Sequence, residues 1–563
     1  MEGRSTGGRI ITNSEIADRL STLAQLLSME KANLYKVKAY QRAAKTVRGL
    51  GESFDELVRG NADLTVYPGI GEAINASIRE IILTGTLARL EKLRSHASPE
   101  QISISAYPKL DPKRILRIFK KLKISSIDLL RQALDSGEIE RIFGLRMAQH
   151  VRQGLVQNGA ILLYHAHDLS ESLRAYILAR SGATRVEAVG DYRRRVEIIE
   201  ELAFLVQTED FARLIESIQR YGGRTDLLES TDISALFALS SGPLLRVELA
   251  DEQTWGLALI RCTGSKAHLR KLTTLTGAFS SLDAPFPTEP SLYTRFGMAF
   301  IEPELREGLD EVRRARKGSL PTLVTEADIR GDLHAHTTAS DGSNTIEQMA
   351  ITARERGYGY LGITDHSQSL KIAGGVPAEI LWKQIRLIDR LNGQLQGIRI
   401  LKSAEVDILA DGELDYPDEL LRELDYTVCS IHSRFAFGKD QQTERILRAM
   451  DNRYFNILGH ATGTLLLKRP GYELDVERVI ERAKQNGCFF EINSSPDRLD
   501  LSAENSRLAS AAGVRIAIST DAHSLSEFST IRYGIEQARR AGLEAWSVLN
   551  CQSLAKLTEL FKR

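Results

Sequence analysis

Six strand-like segments between residues 331 and 523 end in histidine or an acid, and this recurrence restricts the fold more than any other feature of the chain. The first is Gly331-Asp332-Leu333-His334-Ala335-His336, with Asp341 just beyond it. In an extended strand His334 and His336 point to the same side, because side chains alternate with a period of two. Two imidazoles one strand repeat apart, with a carboxylate nearby, can begin a metal site. Alone, such a pair is more often an ordinary polar strand end. The later segments change the balance. The run from Tyr360 to Ile363 delivers His366, and the run from Ile398 to Val406 carries Glu405. Tyr426 to Ile431 delivers His432, Phe455 to Gly459 delivers His460, and Val514 to Thr520 leads into Asp521 and His523. Helix-like segments lie between, so the pattern predicts an α/β barrel whose ligands meet at the C-terminal rim of its strands.

The chain holds 11 histidines. The six at these positions contrast with long apolar helices that hold almost none, whereas a purely structural use would scatter them. Together with Asp341, Glu405 and Asp521 they make more ligands than one ion can use. Two or three divalent metals are therefore expected, Zn and/or Mn.

These residues resemble the polymerase and histidinol phosphatase (PHP) domain, in particular the one at the C-terminus of bacterial family X DNA polymerases. The resemblance places that family's metal-binding and catalytic ligands on His334, His336, Asp341, His366, Glu405, His432, His460, Asp521 and His523. One departure is Gly459-His460-Ala461, where the family usually has proline after the histidine; this alters a turn and not a ligand. The resemblance covers nearly all of residues 12–563. It implies a multidomain chain with all-α helix-hairpin-helix domains at the N-terminus, an α+β palm and thumb, and a distorted, TIM-like α/β barrel. The expected divisions are 1–95 for a small helical DNA-binding domain, 96–160 for fingers, 161–240 for palm, 241–318 for thumb and 319–563 for the barrel. The charged, Gly/Ser-containing stretch Arg313 to Ser319 is expected to be an exposed tether.

A chain of 563 residues suits several domains. No uninterrupted apolar stretch approaches the ~18 residues of a membrane span, and no apolar segment follows the basic residues of the N-terminus. The four cysteines lie far apart with no CxxC spacing and read as thiols of a reducing, cytoplasmic setting. Net charge is zero overall, but residues 1–125 carry 21 Lys+Arg against 13 Asp+Glu. A basic front joined to a metal-rich acidic back suggests a DNA-gripping part and a cutting part. On charge alone, solvated helix faces explain the asymmetry as well.

Apolar residues recur at helical spacing from Ile16 to Leu27 and from Tyr35 to Val47. Pro68-Gly69-Ile70-Gly71 then forms a hairpin ahead of a helix bearing Ile74, Ile78, Ile81 and Ile82. Gly69 and Gly71 permit a tight turn that leaves backbone N–H groups open to a phosphate. This resembles the helix-hairpin-helix of the family's small N-terminal domain. Where the family's lyase-active members carry a Schiff-base lysine, the matching residue is Ser77, so no imine chemistry is expected. A second hairpin, Pro108 to Arg114, has Lys109 and Asp111 in place of glycines and is expected to anchor DNA weakly; a third, Phe143 to Arg146, is only partly recognisable.

The region resembling the palm begins near Thr184. Nucleotidyl transfer needs carboxylates that hold two metals. The family uses a GDxD pair and a third aspartate; the matching positions here are Glu201, Ala203 and Glu248, and Gly190-Asp191 replaces a Gly-Ser pair that contacts the triphosphate. A glutamate moves its carboxylate outward by one methylene, and Ala203 offers no oxygen. Arg193 and Arg194 remain as cations beside this degenerate site. Polymerase activity is therefore expected to be weak or lost, and occupancy of the palm by Mg is left open.

The metal-ligand pattern and the basic front point to a metal-dependent phosphoesterase acting on DNA, and the resemblance implies a DNA repair protein whose barrel is a 3′–5′ exonuclease, with Arg434 and Arg498 as phosphate clamps and Arg469 as either a clamp or a solvated surface residue. The expected partner is DNA, gapped, nicked, primer-template or with single-stranded 3′ ends, bound by a monomer without a membrane. Two alternatives stand beside it: an active gap-filling polymerase with an associated exonuclease, and a small-molecule phosphatase of the histidinol-phosphatase kind. A third, an inert metal-stabilised barrel on a DNA-binding front, sits badly with a complete ligand set.

Overall fold

The computed structural model describes residues 11, 13–30, 34–49, 54–105, 107, 110–144, 147–148, 150–151, 159–221, 225–239, 242–278 and 285–562. The chain divides into two compact units, Met1–Thr263 with Asp283–Leu292, and Gly264–Leu282 with Tyr293–Arg563. Among the described residues no helix is long and apolar enough to cross a membrane.

In the first unit, helix Asn13–Met29 buries the face that its apolar spacing marks out, Ile16, Leu20, Leu23 and Leu27. Helix Leu34–Gly49 buries Val37, Tyr40, Ala43, Ala44 and Val47 in the same core, whereas Tyr35, which the spacing set on the stripe with Ala43 and Val47, is exposed. Helix Glu72–Thr84 completes this core with Ile74, Ile78, Ile81 and Ile82. It stops at Gly85, whose left-handed φ of 75° lets its N–H reach the Ile81 carbonyl. A second helical group, including Pro112–Leu122 and Ile127–Asp135, has its own core around Ile115, Ile118, Phe119 and Leu130.

The palm sheet contains, among the described residues, strands β1 (Arg185–Val189), β2 (Glu201–Gln207), β3 (Asp226–Ser230), β4 (Ser234–Ala238) and β5 (Leu244–Leu249), in the order β1-β2-β5-β4-β3. β2 and β5 are parallel and the other pairs antiparallel. Strand β5 is hydrogen-bonded on both sides, so the palm sheet runs past the expected division at 240. Helix Trp255–Thr263 covers one face, with Trp255 packed against Ala203 and Leu205.

In the second unit the expected tether at 313–319 is instead the helix Glu311–Lys317 and its end. Val312 and Ala315 are buried, and Gly318 caps the helix with a φ of 62°. The basic run is a last helical turn, where cations favour the helix dipole, and the Gly/Ser signal is a C-cap. The residues on either side of this segment pack with the barrel through Arg539 on Glu304 (2.7 Å) and Arg540 on Glu307 (3.4 Å), and Val324 N–H donates to the Leu543 carbonyl (3.0 Å).

The barrel strands are β6 (Gly331–Asp332), β7 (Tyr360–Ile363), β8 (Arg399–Lys402), β9 (Glu405–Asp407), β10 (Val428–Ser430), β11 (Ile457–Leu458), β12 (Phe489–Asn493) and β13 (Ile516–Ser519). Every pairing is parallel. β8 and β9 follow each other with only Ser403-Ala404 between and act as one bent stave, so among the described residues the barrel has seven staves rather than the eight of a regular (βα)₈ barrel. Helices such as Ile346–Glu355, Ala378–Gln394 and Lys439–Asp451 return the chain between staves. Strands β7, β9, β10, β12 and β13 are buried at every residue, so β7, β10 and β13 read as largely apolar runs without alternation, while β9 and β12 bury the acids Glu405, Asp407 and Glu491. The two isolated parallel bridges that join the sheets, His366 to Glu405 and Ala335 to Ala522, lie at ligand-bearing segments.

Candidate metal centre

Seven of the nine expected ligands lie just beyond the C-terminal end of a stave, Glu405 lies within one, and Asp341 lies in the loop that follows His336. His334 and His336 follow β6, His366 follows β7, Glu405 sits at the bend between β8 and β9, His432 follows β10, His460 follows β11, and Asp521 and His523 follow β13. All nine side chains converge. Glu405 lies at the centre: its Oε2 is 2.7 Å from His366 Nδ1, 3.5 Å from His334 Nε2 and 3.7 Å from His336 Nε2. Its Oε1 is 2.9 Å from His460 Nε2 and 3.3 Å from His432 Nε2. Asp521 Oδ1 is 3.0 Å from His336 Nε2 and 3.5 Å from His334 Nε2. On the outer side Asp341 meets His523 Nε2 (3.3 Å) and His366 Nε2 (3.6 Å).

Six of these nine contacts have the lengths of coordination edges. Donors about 2.0–2.2 Å from a shared ion stand about 3.0–3.6 Å apart. Three overlapping groups have their donor atoms within 4.8 Å of one another: His336, Asp341, His366 and His523; His334, His336 and Asp521; His366, Glu405 and His432. Moreover, His334 Nε2, both ring nitrogens of His336, His366 Nδ1, Glu405 Oε2 and His460 Nδ1 are buried without a well-angled hydrogen bond. Buried polar atoms left this way are costly unless something else binds them. The donor set therefore fits divalent cations.

The local electrostatics favour positive charge. Burial alone would depress the His366 imidazole, but Glu405 and Asp341 outweigh it and hold its pKa up at about 10. His432 is likewise held at about 9 by Glu405 and Asp407 despite its burial, and His523 at about 9 by Asp341 and Asp521. His336 goes the other way, down to about 4, through burial and the nearby His366 and His523. Its ring stacks on that of His523 at 4.2 Å, a geometry two protonated rings would resist. A neutral imidazole is the form that ligates a metal. Burial would raise the Glu405 carboxyl, yet His432, His366 and His334 hold it well below the usual range.

Sequence reasoning missed the residues that hold the ligands. Glu491, on β12, the stave with no expected ligand, is fully buried; its Oε1 is 2.7 Å from His334 Nδ1, and its Oε2 accepts from the His460 N–H at 2.8 Å. Asp407 is 2.5 Å from His432 Nδ1. Both fix a ring so that Nε2 faces the centre, the carboxylate–histidine arrangement of metal sites. Asp365 accepts from Thr337 N–H, Thr337 Oγ1, Ser340 Oγ and Gln384 Nε2, which pins the loop carrying Asp341. The available signals were an acid inside the apolar run Phe489 to Ile492, and Asp407 one strand repeat after Glu405. His460 and Asp521 have left-handed φ values of 25° and 55°, strain that clusters where function demands a fixed side chain.

Of the phosphate-clamp candidates, Arg498 Nε is 3.9 Å from Asp521 Oδ2, so it borders the centre. Arg434 is exposed with a φ of 57°. Arg469 lies over the Phe435 ring and donates to the Gly463 carbonyl at 2.8 Å, which fits a structural role.

The palm carboxylates are already paired. Glu201 takes a bidentate contact from Arg246 at 2.8 and 2.9 Å. Glu248 accepts from Ser234 Oγ (3.1 Å) and Arg261 (3.3 Å), and Asp191 pairs with Arg194 (2.5 Å). Ala203 is buried directly opposite Arg246. Arg193 and Arg194 do not stay available beside this site, as the sequence suggested: Arg193 grips Glu289 twice, at 2.9 and 2.7 Å, and Arg194 also donates to the Thr263 carbonyl.

At the first hairpin Gly69 has a φ of 82°, and Gly71 starts helix Glu72–Thr84 with no side-chain cap, so its leading amides are not taken by a side chain. At the second, Asp111 caps its own helix by accepting from Lys113 and Arg114 N–H, occupying the amides a phosphate would need. Lys109 and the Leu145-Arg146 part of the third hairpin lie outside the described residues. Ser77 donates to the Ala73 carbonyl at 2.9 Å. Borohydride reduction in the presence of a 5′-deoxyribose-phosphate end is accordingly expected to trap no covalent adduct on residues 11–87; a trapped adduct mapped there would refute this.

Fold and rim together are those of a PHP-type barrel, with helix-hairpin-helix elements earlier in the chain. The chain matches the PHP domain family over residues 332–495 and the Helix-hairpin-helix domain family over residues 11–87. It is 30% identical over 574 residues to the DNA polymerase/3′-5′ exonuclease PolX of Bacillus subtilis (strain 168), covering 98% of this chain and 99% of that protein. The chain belongs to the PolX family. A probable phosphatase of Acetivibrio thermocellus is 30% identical over 241 residues, which is 95% of that protein but 41% of this chain. Asp521 and His523 lie beyond the matched PHP range; the His336 N–H on the Ala522 carbonyl (2.8 Å) and Ser343 N–H on His523 (2.7 Å) bring them in.

Proposed function

We propose that this protein removes nucleotides from DNA 3′ ends by metal-dependent hydrolysis in the barrel, and that its palm makes little or no DNA. The observation that carries the reading is the convergence of buried, unsatisfied imidazole and carboxylate atoms around Glu405. His334, His336, Asp341, His366, Glu405, His432, His460, Asp521 and His523 would hold two or three ions, with Zn or Mn favoured by the imidazole-rich set. Such ions, when bound, supply Lewis acidity toward a phosphodiester and lower the pKa of water.

The chain's own residues do the rest. Glu491 and Asp407 keep the imidazoles of His334 and His432 aimed inward. Arg498 and Arg434 contact the phosphate of the terminal nucleotide through paired guanidinium N–H groups. Hydrolysis adds water to phosphorus, breaks its bond to the 3′ oxygen of the penultimate nucleotide and releases a nucleoside 5′-monophosphate. The end-to-end likeness to the Bacillus protein, together with the hairpin at Gly69 and Gly71, favours DNA over a small phosphomonoester, since the phosphatase relatives align with the barrel region alone. Gapped, nicked or primer-template DNA would be the bound form.

The test is metal analysis of the purified protein together with turnover of a 5′-labelled oligonucleotide and of a phosphorylated amino alcohol. Two or three ions per chain and Mn-stimulated shortening of the oligonucleotide are expected. Efficient turnover of the amino-alcohol phosphate with an untouched oligonucleotide would move the protein into the phosphatase class.

A further inference from the structure

The rim opens on one side. Among the nine ligands Asp341 and His523 are the most exposed, with side chains at 34% and 33%, whereas Glu405, His334 and His336 are fully enclosed. Beside this opening the loop Ser367–Val376 leaves His366 and lifts Ile372 into solvent at 96% exposure, the highest value of any large apolar side chain among the described residues. Lys371 next to it is exposed as well.

Singly exposed apolar residues are ordinary on protein surfaces. The backbone under Ile372 is not ordinary, because it is held from three directions. Val376 N–H donates to the His366 carbonyl (2.8 Å), closing the loop on a ligand, and Tyr416 donates to the Val376 carbonyl at 2.5 Å. Ser369 N–H and Gln368 Nε2 both bind Asp415, at 2.7 and 2.9 Å. Gly374, with a φ of 70°, lies so close to Ser340 that an added Cβ would stand 3.0 Å from its carbonyl oxygen. Ser340 directly precedes Asp341. The loop is thus braced against the exposed edge of the centre while its tip touches nothing apolar.

We propose that Ile372 is the wedge that receives the terminal nucleobase of a DNA strand whose last phosphodiester lies at the rim, with Lys371 beside the adjoining phosphate. A nucleobase has an apolar face and a DNA backbone is anionic, and this loop presents one cationic and one aliphatic side chain at adjacent exposed positions, Lys371 and Ile372. Placing the base there draws it off its neighbour and sets single-stranded or frayed ends above paired ones. This inference rests on the exonuclease reading and specifies how that activity selects its ends.

The experiment compares oligonucleotides ending in a normal nucleotide or in a base-free tetrahydrofuran residue, digested by the metal-loaded full chain and by Ile372→Ser and Ile372→Phe. The parent is expected to prefer the base-bearing end by about tenfold. Ile372→Ser should bring that ratio close to one, and Ile372→Phe should keep it. A 3′-terminal 2-aminopurine, bound in the presence of a chelator, should brighten as it unstacks on the parent and on Ile372→Phe but not on Ile372→Ser. An active parent with no preference, or a ratio and fluorescence unchanged in Ile372→Ser, overturns the wedge alone. A metal-loaded parent that leaves both oligonucleotides intact overturns the exonuclease reading and the wedge with it.

Discussion

Glu405→Gln is expected to lose exonuclease activity by on the order of 10³-fold or more, with a fall in bound metal, while the barrel stays folded. Five imidazoles approach the two oxygens of this one carboxylate within 3.7 Å. The amide keeps shape and volume but removes the charge and turns one oxygen into a donor, facing nitrogens that would otherwise share a cation. A single electrostatic group in such an enclosed site is worth about 10²–10³ in rate; one whose two oxygens face five imidazoles should exceed that. His336→Ala and Asp521→Ala should behave alike, because both belong to the His334, His336 and Asp521 group. Glu491→Gln and Asp407→Asn supply the comparison. They act through His334 and His432, so a loss of about 10–100-fold in metal affinity or activity is expected. Digestion by Glu405→Gln at the parental rate would show that the centre does not perform the chemistry.

Templated nucleotide incorporation with Mg is expected to be absent or at least about 10²-fold below that of a polymerase with three aspartates, and Ala203→Asp alone should not restore it. A displacement of about 1 Å in a reacting group can cost ~10²-fold. Here the defect is larger. A carboxylate that already shares two hydrogen bonds with a guanidinium, as Glu201 does with Arg246, has its charge neutralised and its lone pairs engaged. A new Asp at 203 would face Arg246 across the parallel pair and join the same ion cluster. Primer extension by the parent, Ala203→Asp and a combined Glu201→Asp/Ala203→Asp/Glu248→Asp variant measures this. Robust extension by the parent, abolished by Glu201→Ala or Glu248→Ala, would reverse the assignment of the palm.

The two halves of the protein were unequally legible, and the difference has a physical origin. The expected metal ligands leave a local imprint: most of them follow a short buried strand, and His334/His336 and Asp521/His523 repeat the two-residue period within a few positions. The expected ligands, strand by strand, could be read directly. The residues that hold them could not. Glu491 reaches His334 across 157 positions, and nothing near either residue announces the pair. The helical period likewise marked the cores of the N-terminal helices, but the run Arg313 to Ser319 reads equally as linker or as last helical turn, and only burial of Val312 and Ala315 decides.

In the region resembling the palm, residue order already shows where a side-chain oxygen is missing, since Ala203 has none in any conformation. It left open whether Arg193 and Arg194 could still serve a nucleotide. Their engagement by Glu289, Asp191 and Thr263 closes that question through contacts as far as 96 residues apart. Linear order alone thus determined the kind of chemistry, because donor atoms belong to residue types and strand ends belong to short apolar runs. Tertiary structure alone decided which donors are free to bind and which are spent on one another, because hydrogen bonds and ion pairs form between groups that folding, not sequence proximity, brings within 3 Å.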